Sequence, residues 1–137
     1  MAIAKCKGTK LQHTISASLV DIAQLLSISH SGSKSLTFDS TTLDGGVYKT
    51  KAQTGYSDSG TVTAELFYDP ALAGHQFITD LIAAPADNAM KIIYADTGNT
   101  NQAFTQAGVE FGVTVDMGDG LKGSVTYEVD GDAGWPT

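Results

Sequence analysis

Hydrophobic and polar positions alternate most clearly near the C-terminus. In VEFGVTVD, Val109, Phe111, Val113 and Val115 share one face, and Glu110, Gly112, Thr114 and Asp116 share the other. That period of two is expected of a half-buried strand. LKGSVTYEV repeats it, with Leu121, Val125, Tyr127 and Val129 inward and Lys122, Ser124, Thr126 and Glu128 outward. MGDG lies between, with Asp119 and Gly120 suited to positive φ, so the two segments predict a β-hairpin. TVTAELFYD at 61–69 sets Val62, Ala64, Leu66 and Tyr68 against Thr63, Glu65 and Phe67, and KSLTFDST sets Leu36 and Phe38 against Ser35, Thr37 and Asp39. Both read as strands. AMKIIYAD at 89–96 is apolar on both faces, as a strand covered by a helix would be, and LVDIAQLLSIS at 19–29 fits either a helix or a strand, the strand being favoured because it leads straight into the next one.

The helix is DPALAGHQFITDLIAAP. Asp69 is expected as N-cap, Pro70 at the first helical position and Pro85 beyond the end, with Phe77, Ile78, Leu81 and Ile82 as the buried stripe. Six or so strands with one flanking α-helix make the fold mainly β, a small β-sandwich or barrel. TTLDGGVYKTKAQTGYSDSG, residues 41–60, interrupts it with four glycines, two tyrosines and no apolar period. An insertion of that length inside a compact domain is either a misassigned element or a long functional inter-strand loop.

At 137 residues the chain is expected to form a single domain, 1–137. No apolar run has the length of a secretory signal or a membrane span, which gives the expectation of a soluble protein made in a cytoplasm. Cys6 is alone, so neither an intramolecular disulfide nor a cysteine-based zinc site can form; it is read as a minor residue near a loose N-terminus. The net charge is −7 and arginine is absent, which argues against a module that grips nucleic acid. Residues 1–51 hold six lysines against three aspartates, and residues 52–137 hold two lysines against twelve acids. Two parts of one molecule could thus attract opposite parts of a copy.

Candidate chemistry is sparse. His13, His30 and His75 lack the spacing of a shared metal site and read as solvated or locally hydrogen-bonded. DMGDGLKG is a poor calcium loop, because Gly118 stands at its third position and Tyr127 at its twelfth. GYSDSG misses the nucleophile elbow at Ser59, and SGSKS misses a phosphate-cradling loop. Glu65 and Glu128 carry no information on their separation as an acid pair. The expectation is a non-enzyme with no cofactor and no metal.

The order of features resembles a family. A strand with TFDSTTLD, a long polar loop, SDSGTVTAELFYDP running into a helix, and FTQAGVEFGVTVDMGDGLKGSVTYEVDGDAGWP together resemble the tail tube (major tail) proteins of long-tailed, non-contractile bacteriophages. The likeness runs from about Ser29 to the C-terminus and rests on Thr37 and Asp39, on Tyr68-Asp69-Pro70, and on the ending with Gly131, Trp135 and Pro136. It implies a β-sandwich flanked by a helix, hexameric rings, and stacking into a hollow tube that conducts the genome. Tube proteins of contractile tails and of type VI secretion are related to that family. DGDAGWP departs from the commoner Ser-Gly ending, and no added immunoglobulin-like domain follows, which implies a smooth tube.

Placed in that setting, the loop lies across the next ring, anchored by Val47, Tyr48 and Tyr56, while Lys49 and Lys51 meet acids on the neighbour. Glu65, Glu110 and Glu128, on polar strand faces, are the candidate lumen lining, repelling DNA that passes only as cargo. Strand edges close the ring, and stacking stays open-ended. The implied partners are further copies of the chain, a tape-measure protein, and tail initiator and terminator proteins. The implied location is the virion tail, assembled in the host cytoplasm. The alternatives are a carbohydrate- or receptor-binding β-sandwich using Trp135, Tyr48 and Tyr56, and a small hydrolase.

Overall fold

A computed structural model describes residues 7–15, 17–95, 98, 100–118 and 120–135. Cys6, Asp119 and Pro136, named above, lie outside them. The elements in chain order are β1 (Lys10–Ile15), β2 (Ser18–Asp21), β3 (Leu25–Ser31), β4 (Lys34–Asp39), β5 (Lys51–Asp58), β6 (Thr61–Phe67), α1 (Ala73–Ala83), β7 (Asn88–Ile93), β8 (Asn101–Asp116) and β9 (Gly120–Asp130). Seven strands form one antiparallel sheet in the order β2-β1-β7-β8-β9-β6-β3, and β4 and β5 form a second sheet of their own.

The two borders of the large sheet are consecutive in sequence. Between Asp21 and Leu25 run only Ile22, Ala23 and Gln24, which reach at most about 14 Å, so the sheet must roll until β2 and β3 come together. The link is hydrogen-bonded to both sides, through Ile22 N to Leu11 O at 2.9 Å and Phe67 N to Gln24 O at 3.0 Å. α1 sits over it, and the buried His75 donates from Nε2 to Ala23 O at 2.7 Å. Inside lie Leu11, Ile22, Val62, Ala64, Leu66, Ile78, Met90, Ile92, Phe104, Val125 and Tyr127. Fully burying such a side chain is worth about 1.5–3 kcal/mol, which is what holds the roll closed against chain entropy. The mainly β sandwich with one helix is therefore as the alternation indicated.

Several local expectations are corrected. Residues 19–29 make two strands, because the chain turns the sheet corner at 22–24. The helix starts at Ala73 with Leu72 in the N-cap position and no side-chain cap. Asp69 instead accepts from Ala71 N at 2.9 Å, capping the turn that contains Pro70. The buried helical positions are Gly74, His75, Ile78 and Leu81, with Phe77 half-buried and Ile82 exposed. β1 is not marked by the alternation, and it is paired on both sides.

All three histidines are hydrogen-bonded, as one of the two expectations had it, with His13 and His75 buried rather than solvated and His30 half-buried. His13 is fully buried, shares a 2.8 Å hydrogen bond with Tyr127 Oη, and meets the rings of Phe77 and Tyr127 edge-on. β8 begins eight residues before the hairpin that the alternation marked. A bulge between Gln106 and Gly108 shifts its register, so even positions (Gln102, Phe104, Gln106) are buried before it and odd ones (Val109, Phe111) point inward after it.

Candidate interaction surfaces

The stretch 41–60 is not all loop. Lys51–Asp58 pairs with Lys34–Asp39 as a two-stranded arm, and the loop proper is 40–50. A free hairpin has no buried face, so β5 shows no alternation to read. The loop's neck is tied by Ser40 N to Thr50 O at 3.0 Å and Thr50 N to Thr41 Oγ1 at 2.9 Å. Hydrogen bonding to the Thr41 side chain, then to its backbone N–H, holds the Asp39 carboxyl below its usual range. Beyond the neck, Leu43, Val47 and Tyr48 are 108%, 96% and 87% exposed. Tyr56 is also exposed but stands on β5, apart from the loop. Lys49 and Lys51 line a shallow cleft with Thr37, Phe38 and Asp39, and Lys51 sits opposite Asp39 in the ladder. Of the two lysines, Lys49 belongs to the loop and Lys51 to the strand.

The arm leaves the sheet through a glycine neck. Gly60 has φ +78°, and a Cβ there would stand 2.0 Å from Ser31 O. Only glycine lets the chain double back so close to the end of β3.

Glu65, Glu110 and Glu128 come out on one face. Cross-strand rows on β3, β6, β9 and β8 read Ser27–Glu65–Ser124–Gly112, then Ser29–Thr63–Thr126–Glu110, then Ser31–Thr61–Glu128–Gly108. This patch holds hydroxyls, carboxylates and glycines and no apolar side chain. Both its flanks are open edges: β3 ends the sheet, and β7 pairs with β8 only over Asn101–Gln106, leaving the 108–116 segment partnered on the β9 side alone. The hairpin carries on past the core, so Val113, Val115 and Leu121, expected inward, are exposed.

The C-terminal segment, whose Gly131 and Trp135 stood out only as a family-like ending, clips the root of the arm. Trp135 stacks on His30 at 4.6 Å and 12°, and its Nε1 donates to Ser33 Oγ at 3.3 Å. Ser59 Oγ donates to Gly131 O. Beneath, Gln102 donates to His30 Nδ1 at 2.9 Å and to Ala133 O at 2.8 Å, while accepting from Tyr94 Oη at 2.6 Å. His30 Nε2 then donates to Ser59 O at 2.7 Å. Burial raises the Tyr94 hydroxyl above its usual range. The signal for this network was a run of polar inward positions, which a hydrophobic period passes over. Trp135 is committed to His30 at the arm's root, whereas Tyr48 stands on its far loop; one sugar platform from both is not what the fold assembles.

Among the described residues no cluster of three or more His, Cys, Asp or Glu could hold a metal, and no helix is long and apolar enough to cross a membrane. Solved structures share the architecture. A chain from the tail of an empty GTA particle, determined with C6 symmetry, matches with a TM-score of 0.69 at 10% identity over 95% of this chain and 96% of that chain. The fold is one found in tail particles. A chain from the six-fold symmetrised baseplate of the anti-feeding prophage (AFP) matches with a TM-score of 0.67 at 10% identity, covering 96% of this chain and 94% of that one. No family model and no curated protein sequence matches the chain.

Proposed function

We propose that this chain is a structural, non-catalytic subunit of a bacteriophage tail tube of the long, non-contractile kind, closing into hexameric rings that stack into a hollow conduit for DNA. The observation that carries the reading is the four-stranded polar patch between two open edges. β3 and β8 run in opposite directions, so β3 of one copy can meet the 108–116 edge of β8 in the next as an antiparallel pair. Repetition consumes every such edge, and rotational closure ends growth in that direction. Six-fold symmetry in the particles that hold both structural neighbours supports six copies.

The patch then faces the bore. Glu65, Glu110 and Glu128 from every copy repel phosphates over about 8 Å at physiological salt, and with no arginine there is no guanidinium to neutralise phosphates and retain DNA. Rings stack through the β4–β5 arm, whose apolar loop has no cover in its own chain. Tape-measure, initiator and terminator proteins are the further partners, and the subunits assemble in the host cytoplasm into the virion tail. Negative-stain microscopy of concentrated protein offered a tail initiator tests this: hollow tubes are expected, and persistent single chains would overturn it.

A further inference from the structure

We propose that the β4–β5 arm of one copy docks on the protruding tip of the β8–β9 hairpin of a second copy, so that these two hairpins form one head-to-tail contact. The inference rests on the tube reading and names the surface that receives the arm.

The first support is placement. The arm starts where β3 ends and β6 begins, at the row Ser31–Thr61–Glu128–Gly108. The hairpin turns at the other end of the same strands, beyond Asp116 and Gly120. From Glu128 to Gly120 is a run of about 26 Å along β9. The two projections therefore leave opposite ends of one patch, and copies stacked along the strand direction bring the arm of one toward the tip of the next.

The second support is chemistry. Past the end of β6 at Phe67 the alternation of β8 continues as though a core lay beneath it, yet Val115 is 78% exposed and Met117 is 103% exposed. A strand face kept apolar without cover from its own chain is a face completed by another molecule. The arm offers Leu43, Val47 and Tyr48, equally uncovered, with Lys49 beside them, and the tip carries Asp116. Opposite charge next to apolar surface fixes register as well as contact.

The third support is symmetry. Tip on tip, or arm on arm, is a self-complementary contact that stops after two copies, whereas arm on tip leaves a free arm and a free tip at the ends and propagates. One such contact is small, but rings make several at once, and linked contacts gain avidity far beyond a single one.

The test places cysteines across the contact in a Cys6→Ser background. Tubes grown from Tyr48→Cys/Val115→Cys protein and oxidised are expected to give a ladder of chain multiples on a non-reducing gel. Unassembled protein is expected to give none, and so is a Tyr48→Cys/Leu19→Cys control, since Leu19 is exposed on β2. Tubes that form without a Tyr48–Val115 ladder, or with an equal ladder from the control, overturn this inference and leave the tube reading standing. Failure of the unmodified chain to form tubes when offered a tail initiator sinks the reading itself. If the cysteine pair does not polymerise, Val115→Asp decides: an unchanged melting temperature with the concentration for tube growth raised about tenfold or more supports the contact, and normal tubes overturn it.

Discussion

Acid should loosen this fold through one residue. His13 is fully buried on β1, bonded through Nε2 to Tyr127 Oη, with Nδ1 buried and unpartnered. Burial, and then the neighbouring charge of His75, lowers the His13 pKa from 6.5 to about 4. Burial likewise drives the Tyr127 hydroxyl up, so neither partner ionises at neutral pH. In the unfolded chain His13 returns to its ordinary value. Between these two values the unfolded state binds the extra proton, so stability falls as pH falls, beginning near 6.5 and ending near 4. At about 1.4 kcal/mol per pH unit the loss from this group is about 3 kcal/mol, a sizeable share of the stability of a small domain. The assay is urea unfolding of unassembled protein from neutral pH to pH 4, beside His13→Leu. The variant leaves the Tyr127 hydroxyl unpaired and should be less stable at neutral pH by roughly 1–3 kcal/mol, yet it lacks the imidazole. Carboxylates titrate alike in both proteins, so the difference between the two curves isolates His13. It should shift by about 3 kcal/mol in the variant's favour on acidification, closing the gap or reversing its sign; parallel curves, or an NMR titration of His13 centred near 6.5, would refute the reasoning.

Gly60→Ala forces a Cβ against Ser31 O at positive φ, and should cost more than about 2 kcal/mol, or roughly 6 °C in Tm. An unchanged melting curve would remove the glycine neck as the arm's hinge point. Changing Glu65, Glu110 and Glu128 together to Lys should leave tubes intact but make them retain DNA at low salt and release it at high salt. Tubes of that variant that remain indifferent to DNA in a co-sedimentation assay would move those positions out of the bore.

Period two made β6 and the 109–129 hairpin legible because the alternation holds along both, over a buried face in β6 and at the root of the hairpin and past the core at its tip. The same rule explains what was missed. β5 has no buried face, so its residues read as loop. The first half of β8 buries Gln102 and Gln106, and the bulge after Gln106 inverts the parity, so no continuous hydrophobic row crosses it. β1 turns His13 inward, which a hydrophobic count scores as polar. The helix signal Asp69-Pro70 was real chemistry spent one turn too early, on the bend that delivers the chain to Ala73. Glu65, Glu110 and Glu128 could each be put on a polar face from sequence, but their gathering into one patch needed the order β3-β6-β9-β8, which is non-local information.

The same acidity that would keep DNA from adhering also bears on how such a tube could start. Each chain carries −7, so free copies repel one another within about a Debye length, and an arm meeting a tip alone must overcome that repulsion with a small apolar contact. A completed ring presents its tips together, and the arms of arriving copies then gain edge pairing and stacking at once, terms that add while the electrostatic cost is partly screened. Growth on an existing ring is thereby favoured over association of two free chains. A polymer built this way would be slow to begin and quick to extend, so an added initiator should shorten the lag before growth far more than it changes the rate of extension.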